Sequence, residues 1–515
     1  MNQPEAFTPH FNNFFYAANT TFGAFLAESA DLLESRPDLV AAIEHDLDQH
    51  GLNKKELREA DREFDLNRTL PLPEIDEAGK SHAPAEKESP GKLEYLETGR
   101  PRFPAVAVGI LLLTRGYTGS CTNQESRDFV GESKSLDAWL MTRNLTLPAR
   151  STVSELLNAV TQETRDKILA ATLYRAYQEK LDDFDRCVVD STASRANSSW
   201  PTDAKTIFSL CSRLWNIGSK LEPFNLKNIR PGRMENWLGT LGKIPFQINL
   251  NVRNQKKFRK LCREFIDLSS KIIWHAHKEY KRLEKEWKEA AENLPPSIRV
   301  QLLERIANYL ESLHLASKSI EQMRQRIFEN KTFPSTKRVL SVHDESAAFI
   351  QKGGREPVIG YKPQLARSGN GFVTALLVEE GNIADSTHLI PVVETTIANT
   401  GIIPQMVSTD DGYSSAKNLE ATECLGVKDL SISGSKGKKL LAEKWEQDEY
   451  RQARKDRSAV ESLIFCLKHS FDFGQLSRTG LKAVRQELTE KCLAYNICRL
   501  VYLRKRKPQC QEAAA

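Results

Sequence analysis

The way the strand-like segments are split is what most restricts how this chain can fold. An apolar run, Cys187-Val188-Val189-Asp190, reads as a strand. The next segments with β periodicity come only after Pro334, at residues 337–343, 358–362, 372–379, 406–409 and 428–432, with Gly353-Gly354, Gly369 and Gly381 as turns. Between Asp203 and Pro334 the pattern is helical, with long helices expected over residues 258–294 and 298–328 and apolar Leu261, Phe265, Leu268 and Ile272 opposite a charged face. Residues 419–425 and the chain from Glu443 onward also read as helix. A β run interrupted by helices and closed by a helix is a mixed α/β layer domain. Its core is expected from residues 181–203 and 335–500, with residues 204–334 as a large all-helical insertion.

Three acidic residues stand in settings that suit chemistry. Asp190 closes the first strand-like run and precedes Ser191-Thr192. Asp410 closes Gln405-Met406-Val407-Ser408-Thr409 and precedes Asp411-Gly412-Tyr413. Glu461 lies in the helical stretch Arg457-Ser458-Ala459-Val460-Glu461. Phosphodiester cleavage is slow because the phosphate is anionic and the leaving alkoxide is poor. Two divalent ions about 3.5–4 Å apart answer both problems, and hard oxygen ligands hold them. Offsets of four and then seven residues put Arg457, Glu461 and Lys468 on one helix face, a carboxylate flanked by cations. Successive strand residues point to opposite faces, so only one of Asp410 and Asp411 should reach such a site.

This ordered set resembles the DDE transposases of bacterial insertion sequences, over roughly residues 151–500. Asp190-Ser191-Thr192 with Pro201-Thr202-Asp203 resembles the family's first-aspartate motif, and Asp410-Asp411-Gly412-Tyr413 its second. Arg457, Glu461 and Lys468 resemble the Tyr-Arg-Glu-Lys signature, with Arg454 at the tyrosine position and Tyr450 the nearest tyrosine. Ile350-Gln351-Lys352-Gly353 with Gly360-Tyr361-Lys362 resembles the strand segment between the first two acids. The resemblance implies a ribonuclease-H-like mixed-sheet catalytic core in which Asp190, Asp410 and Glu461 are the catalytic metal ligands, Asp410 rather than Asp411 matching the family's position. It implies two Mg²⁺ ions, with Mn²⁺ as a substitute. It also implies cleavage at transposon ends, transfer of the 3′-hydroxyl into target DNA, and a homodimer pairing two ends. The partners would be terminal inverted repeats and target DNA. Rival readings are a transposase-derived DNA-binding protein without chemistry and a host nuclease of the same fold.

The remaining DNA contacts are expected around these motifs. Thr192, Asn197 and Trp200 follow the first acid; Trp200 could stack an unpaired base or be a core or lid aromatic, and Asn197 could bond DNA or cap a turn. Lys352 and Lys362 flank the connecting strand, and Arg457 and Lys468 flank the third acid. Lys256, Lys257, Arg259 and Lys260 form a basic stretch of the insertion that could line a phosphate groove or be a solvated face.

Outside the core, residues 1–69 read as an N-terminal helical region and residues 70–104, which hold six prolines, as a linker. Residues 105–180 read as helical, with Thr152-Val153-Ser154-Glu155 as a capping box that starts a helix at Thr152. The preceding Pro148-Ala149-Arg150-Ser151 makes this region a candidate helix-turn-helix for DNA. Residues 501–515 form a basic tail.

The nine cysteines include no C-x-x-C pair, which fits reduced thiols used as small apolar fillers. No histidine spacing suits a metal, and no G-x-x-x-x-G-K-[ST] loop implies ATP. The N-terminus lacks a signal-peptide form, and the longest apolar run, residues 105–113, is far shorter than the ~20 residues a membrane span needs. A cytoplasmic, nucleoid-associated protein is expected.

Overall fold

A computed structural model describes residues 21–69, 103–119, 129, 133–198, 202–221, 231–292, 294–334, 338–342, 344–351 and 356–512. They form two compact units, one of residues 1–47, 104–202 and 332–515, the other of residues 48–103 and 203–331. The proline-rich stretch, Trp200 and Lys352 lie outside the described residues.

The first unit is built on a mixed five-stranded sheet. Its strands are β1 (Arg186–Ser191), β5 (Gln364–Ser368), β6 (Val373–Leu377), β7 (Met406–Thr409) and β8 (Asp429–Ile432), in the order β6-β5-β1-β7-β8. Short strands β2 (Ser194–Arg195), β3 (Ala348–Ile350) and β4 (Val358–Tyr361) make a separate sheet, ordered β2-β4-β3. β1 pairs antiparallel with β5 and parallel with β7, which pairs parallel with β8. β1 is therefore central and is buried along its length except at Arg186, which explains its unbroken apolar run.

Alternation along β1 separates its two faces. Cys187 and Val189 join Val392 and Val393 of the helix Leu389–Thr400 in the core. Val188 lies on the other face, where it lines a cleft with Ser408 and with Asp456 of the helix Asp448–Asp456. The helix Ser458–Ser470 packs against β1, and the helix Asp448–Asp456 against β7 and β8.

The C-terminal helix Leu481–Glu512 packs on the helices Ala105–Thr118 and Gln162–Gln178 and on β6. Gly116 makes the first of these crossings possible, because a Cβ there would lie 2.1 Å from the Glu490 carbonyl oxygen. Gly116→Ala is expected to force the helices apart and destabilise the unit by roughly 1–3 kcal/mol, read as a lower urea midpoint.

Among the described residues of 203–331 every element is a helix. Gln255–Glu292 and Pro296–Phe328 are its longest members, and Asp203–Ser219 packs on the second of them. Leu261, Phe265 and Ile272 are buried, as the helical spacing requires.

Two expectations of local structure need correction, and one strand was not anticipated. The helix at the capping box starts two residues earlier, as Arg150–Ala159, with Ala149 as N-cap and no side-chain cap. Among residues 338–342 there is no strand, although the alternation there resembles one. β5 escaped notice because it follows Pro363 directly and is polar at both ends, with only Leu365 and Ala366 as an apolar centre.

Candidate active site

β1 and β7 run parallel with Val188 opposite Ser408. Two residues further along each strand stand Asp190 and Asp410, on strands that neighbour each other at about 4.8 Å. Asp190 shares the face of Val188, and Asp410 that of Ser408, so both strand-end acids belong to the side that carries the C-terminal helices. Asp190 remains within β1, where it pairs with Leu365, and is 7% exposed. Asp410 begins the short turn Asp411–Tyr413, and its side chain accepts a hydrogen bond from the Gly412 amide at 2.9 Å.

Asp411 is engaged elsewhere. Its carboxylate accepts the backbone amides of Lys436 (3.1 Å) and Gly437 (2.9 Å) at the start of the helix Ser435–Leu440. The approach is so close that a Cβ on Gly434, which has φ +109°, would sit 2.3 Å from an Asp411 carboxylate oxygen. Burial would raise the Asp411 carboxyl, but these amides hold it below its ordinary range.

Glu461 lies in the first turn of Ser458–Ser470, where the helix dipole favours a negative charge. Arg457, at the N-cap position, links it to the sheet. Its guanidinium is 3.1 Å from Glu461 Oε1 and 3.9 Å from Asp190 Oδ2. The structure thus joins the first and third acids through one cation, while 63% of the Glu461 side chain stays exposed. Lys468 lies further along the same helix, its stem beside Gly474. Arg454, at the signature's tyrosine position, stacks on Trp445 at 3.9 Å. Tyr450 is buried and donates to Asp429 at 2.6 Å.

A fourth carboxylate stands beside these, and the sequence reading missed it. Asp385 opens the short turn Asp385–Thr387. Its Oδ1 accepts from Gln364 Nε2 at 2.8 Å and pairs with Lys362 Nζ at 2.9 Å. Its Oδ2 faces Gly412, where a Cβ would lie 2.9 Å from Asp410 Oδ1 and 3.3 Å from Asp385 Oδ2. Burial would raise the Asp385 carboxyl, but hydrogen bonds from Gln364 and Lys362 and the charge of Lys362 hold it below its ordinary range. The Tyr413 phenol donates to Gln364 Oε1. Burial first, then the charges of Asp385, Asp190 and Asp410, raise its titration well above the ordinary value. Asp385 sits in the loop Gly381-Asn382-Ile383-Ala384-Asp385, where no periodicity or motif marks it.

The other expected contacts are dispersed. Thr192 is buried, and its amide donates to Pro363 O at 3.0 Å. Asn197 Nδ2 donates to Ser477 O at 3.0 Å. Lys362 is 13% exposed and is taken up by Asp385. Lys256, Lys257, Arg259 and Lys260 are exposed on the helix Gln255–Glu292 of the second unit.

Among the described residues, no three His, Cys, Asp or Glu side chains are drawn together as a ready cation cage. The donor chemistry nonetheless suits a hard cation: Asp190 and Asp410 offer carboxylate oxygen at neighbouring strand ends, and a guanidinium already bridges Asp190 and Glu461.

Residues 326–497 match the family model of the transposase DDE domain. The resemblance to that domain is confined to this span, which is less than half of the chain. The matched span contains Asp410, Arg457, Glu461 and Lys468, and also Asp385. Asp190 precedes the span and reaches the DDE domain's sheet through β1, which lies between β5 and β7. No curated protein and no solved structure matches the chain. The DDE domain supports a transposase role with DNA as substrate and a divalent metal as cofactor. No helix among the described residues is long and apolar enough to cross a membrane.

Proposed function

We propose that this protein is a DNA transposase that cuts transposon ends and joins the freed 3′-hydroxyl to target DNA at Asp190, Asp410 and Glu461. The observation that carries the reading is that two acids end neighbouring parallel strands while Arg457 reaches both Asp190 and the helix acid Glu461. The five-stranded mixed sheet with its acids at adjoining strand ends supports a ribonuclease-H-like core.

Asp190, Asp410 and Glu461 would hold two Mg²⁺ ions, or Mn²⁺ in their place, and the chemistry such ions would supply is activation of the attacking oxygen and charge neutralisation at the leaving alkoxide. Arg457 orients Glu461 toward Asp190 and keeps further guanidinium donors for a DNA phosphate. Lys468 adds a cation on the same helix. The basic stretch Lys256, Lys257, Arg259 and Lys260 supplies a backbone-tracking surface on the helical unit. The exposed Arg150, Ser151 and Thr152 at the start of Arg150–Ala159 suit a contact with the terminal repeats. Two copies would pair two ends.

The test is cleavage and strand transfer on the DNA flanking this gene, with Mg²⁺, wild type against Glu461→Gln. Metal-dependent cutting and joining, both lost in the variant, is the expected result. Cutting without joining would replace the reading with a nuclease. End binding with no cutting in either protein would replace it with a DNA-binding protein that has lost the chemistry.

A further inference from the structure

The carboxylate of Asp385 contacts β5 and the end of β1 and lies beside the turn that follows Asp410. From the start of β5 and the residue just before Pro363, Gln364 and Lys362 both reach its Oδ1, at 2.8 and 2.9 Å. Lys362 is pinned a second time by donating to Ile383 O at 3.1 Å. Gln364 continues the chain, since its Oε1 accepts from the buried Tyr413 phenol in the turn that follows Asp410. On its other side Asp385 faces Gly412, the residue whose amide holds Asp410. At the end of β1, Ser191 also hydrogen-bonds Asp385, and Ser191 follows Asp190 directly. The side chain is only 14% exposed, so these are enclosed contacts rather than a solvated ion pair.

We infer that Asp385 is a positioning residue of the cleavage site, fixing Asp410 through Gly412 and the Gln364–Tyr413 link and fixing Asp190 through Ser191. This rests on the transposase reading for what the site does. Asp385 is not placed as a ligand, because its Oδ1 is occupied by Gln364 and Lys362. A side chain that orients ligands governs how tightly a cation is held, and loss of such a partner costs 10–100-fold in affinity or activity. The same account places Lys362 in the framework of the site, rather than among the side chains waiting for DNA.

The experiment is Mn²⁺ titration of the full chain, followed by thermal unfolding and by the electron paramagnetic resonance signal of bound Mn²⁺, for wild type, Asp190→Asn and Asp385→Asn. Cleavage is measured alongside at each Mn²⁺ concentration. The expected result is Mn²⁺ binding by wild type, loss in Asp190→Asn, and in Asp385→Asn a need for at least about tenfold more Mn²⁺ in both binding and cleavage. The cation-free unfolding temperature of Asp385→Asn should fall, because Lys362 loses its anion, so the titrations are compared at a temperature where both proteins are folded. An Asp385→Asn titration that overlays wild type, while Asp190→Asn fails to bind, would overturn the inference and leave the transposase reading standing. Wild type that binds no Mn²⁺ would overturn both. Should Asp385→Asn not fold, Gln364→Ala cuts the link to the Asp410 turn and is read in the same way: a weaker Mn²⁺ response supports the inference and an unchanged one overturns it.

Discussion

Asp190→Asn is expected to abolish cleavage and strand transfer while leaving binding to transposon ends close to wild type. Asp190 is the acid most constrained by the fold. Its backbone is paired within the central strand, its side chain is 7% exposed, and Arg457 stands 3.9 Å away. Asparagine keeps the shape and removes the charge, so the strand, the sheet and the packing of Ser458–Ser470 persist. What is lost is the anionic oxygen that faces both Arg457 and the neighbouring strand end. Electrostatic assistance to a phosphoryl centre contributes several kcal/mol, so the rate should fall on the order of a thousandfold or more. Single-turnover cleavage of an end oligonucleotide, beside a gel-shift isotherm on the same DNA, separates the two effects. Asp190→Asn that cuts at more than about a tenth of the wild-type rate would remove Asp190 from the site.

The second large effect lies far from the chemistry. Glu490, on the C-terminal helix, is 1% exposed and receives three arginines. Arg115 of Ala105–Thr118 contacts it in bidentate fashion at 2.7 and 2.9 Å, Arg165 of Gln162–Gln178 at 2.9 Å, and Arg478 at 2.5 Å. Arg165 also donates to the carbonyls of Val160 and Leu157, tying the end of Arg150–Ala159 to the same point. One carboxylate thus clamps three segments. Burial pulls the Arg115 guanidinium down to about 10, against the opposing pull of Glu490. Burial would raise the Glu490 carboxyl, but the charges of Arg115, Arg478 and Arg165 hold it far below the ordinary range. Glu490→Gln keeps the volume and takes from the buried Arg115 and Arg165 and the partly buried Arg478 the anion they share. Removing one partner of a buried ion pair costs about 3–5 kcal/mol, so the first unit should unfold at markedly lower urea. Because the folded-state pKa is depressed, the contribution of Glu490 is complete above the unfolded carboxyl value and fades only as pH falls below it toward the folded one. The stability gap between wild type and Glu490→Gln should therefore be full at neutral pH and narrow in acid. A gap that widened as pH fell would contradict this arrangement.

Both effects bear on what could be read before the structure. The strand ending at Thr409 stands where alternation put it, because β7 is buried and short enough for its apolar content to speak for itself. The helices over residues 255–328 likewise follow from a spacing of three and four that only a helix turns to one side. β5 was not legible. It is an internal strand, paired with β1 and β6 and covered by the helix Leu389–Thr400, so its burial comes from its neighbours and not from its own composition. The early start of Arg150–Ala159 has a similar cause: the Thr152 side chain does not cap, and the turn at Ala149 sets the boundary.

The sequence by itself determined which acids end strands, which acid shares a helix face with Arg457 and Lys468, and where the long helices run. These are local properties, written in periods of two and 3.6 residues. Only the tertiary structure decided that Asp190 and Asp410 end neighbouring strands on the same face, since parallel pairing joins residues more than two hundred positions apart through register. It also decided that Asp411 turns to the amides of Ser435–Leu440, that Asp385 stands beside Asp410, and that Glu490 is enclosed by three arginines. Charged residues in loops and on helices read as solvated surface until packing removes water from them. Once buried, they are held by partners that distant parts of the chain supply.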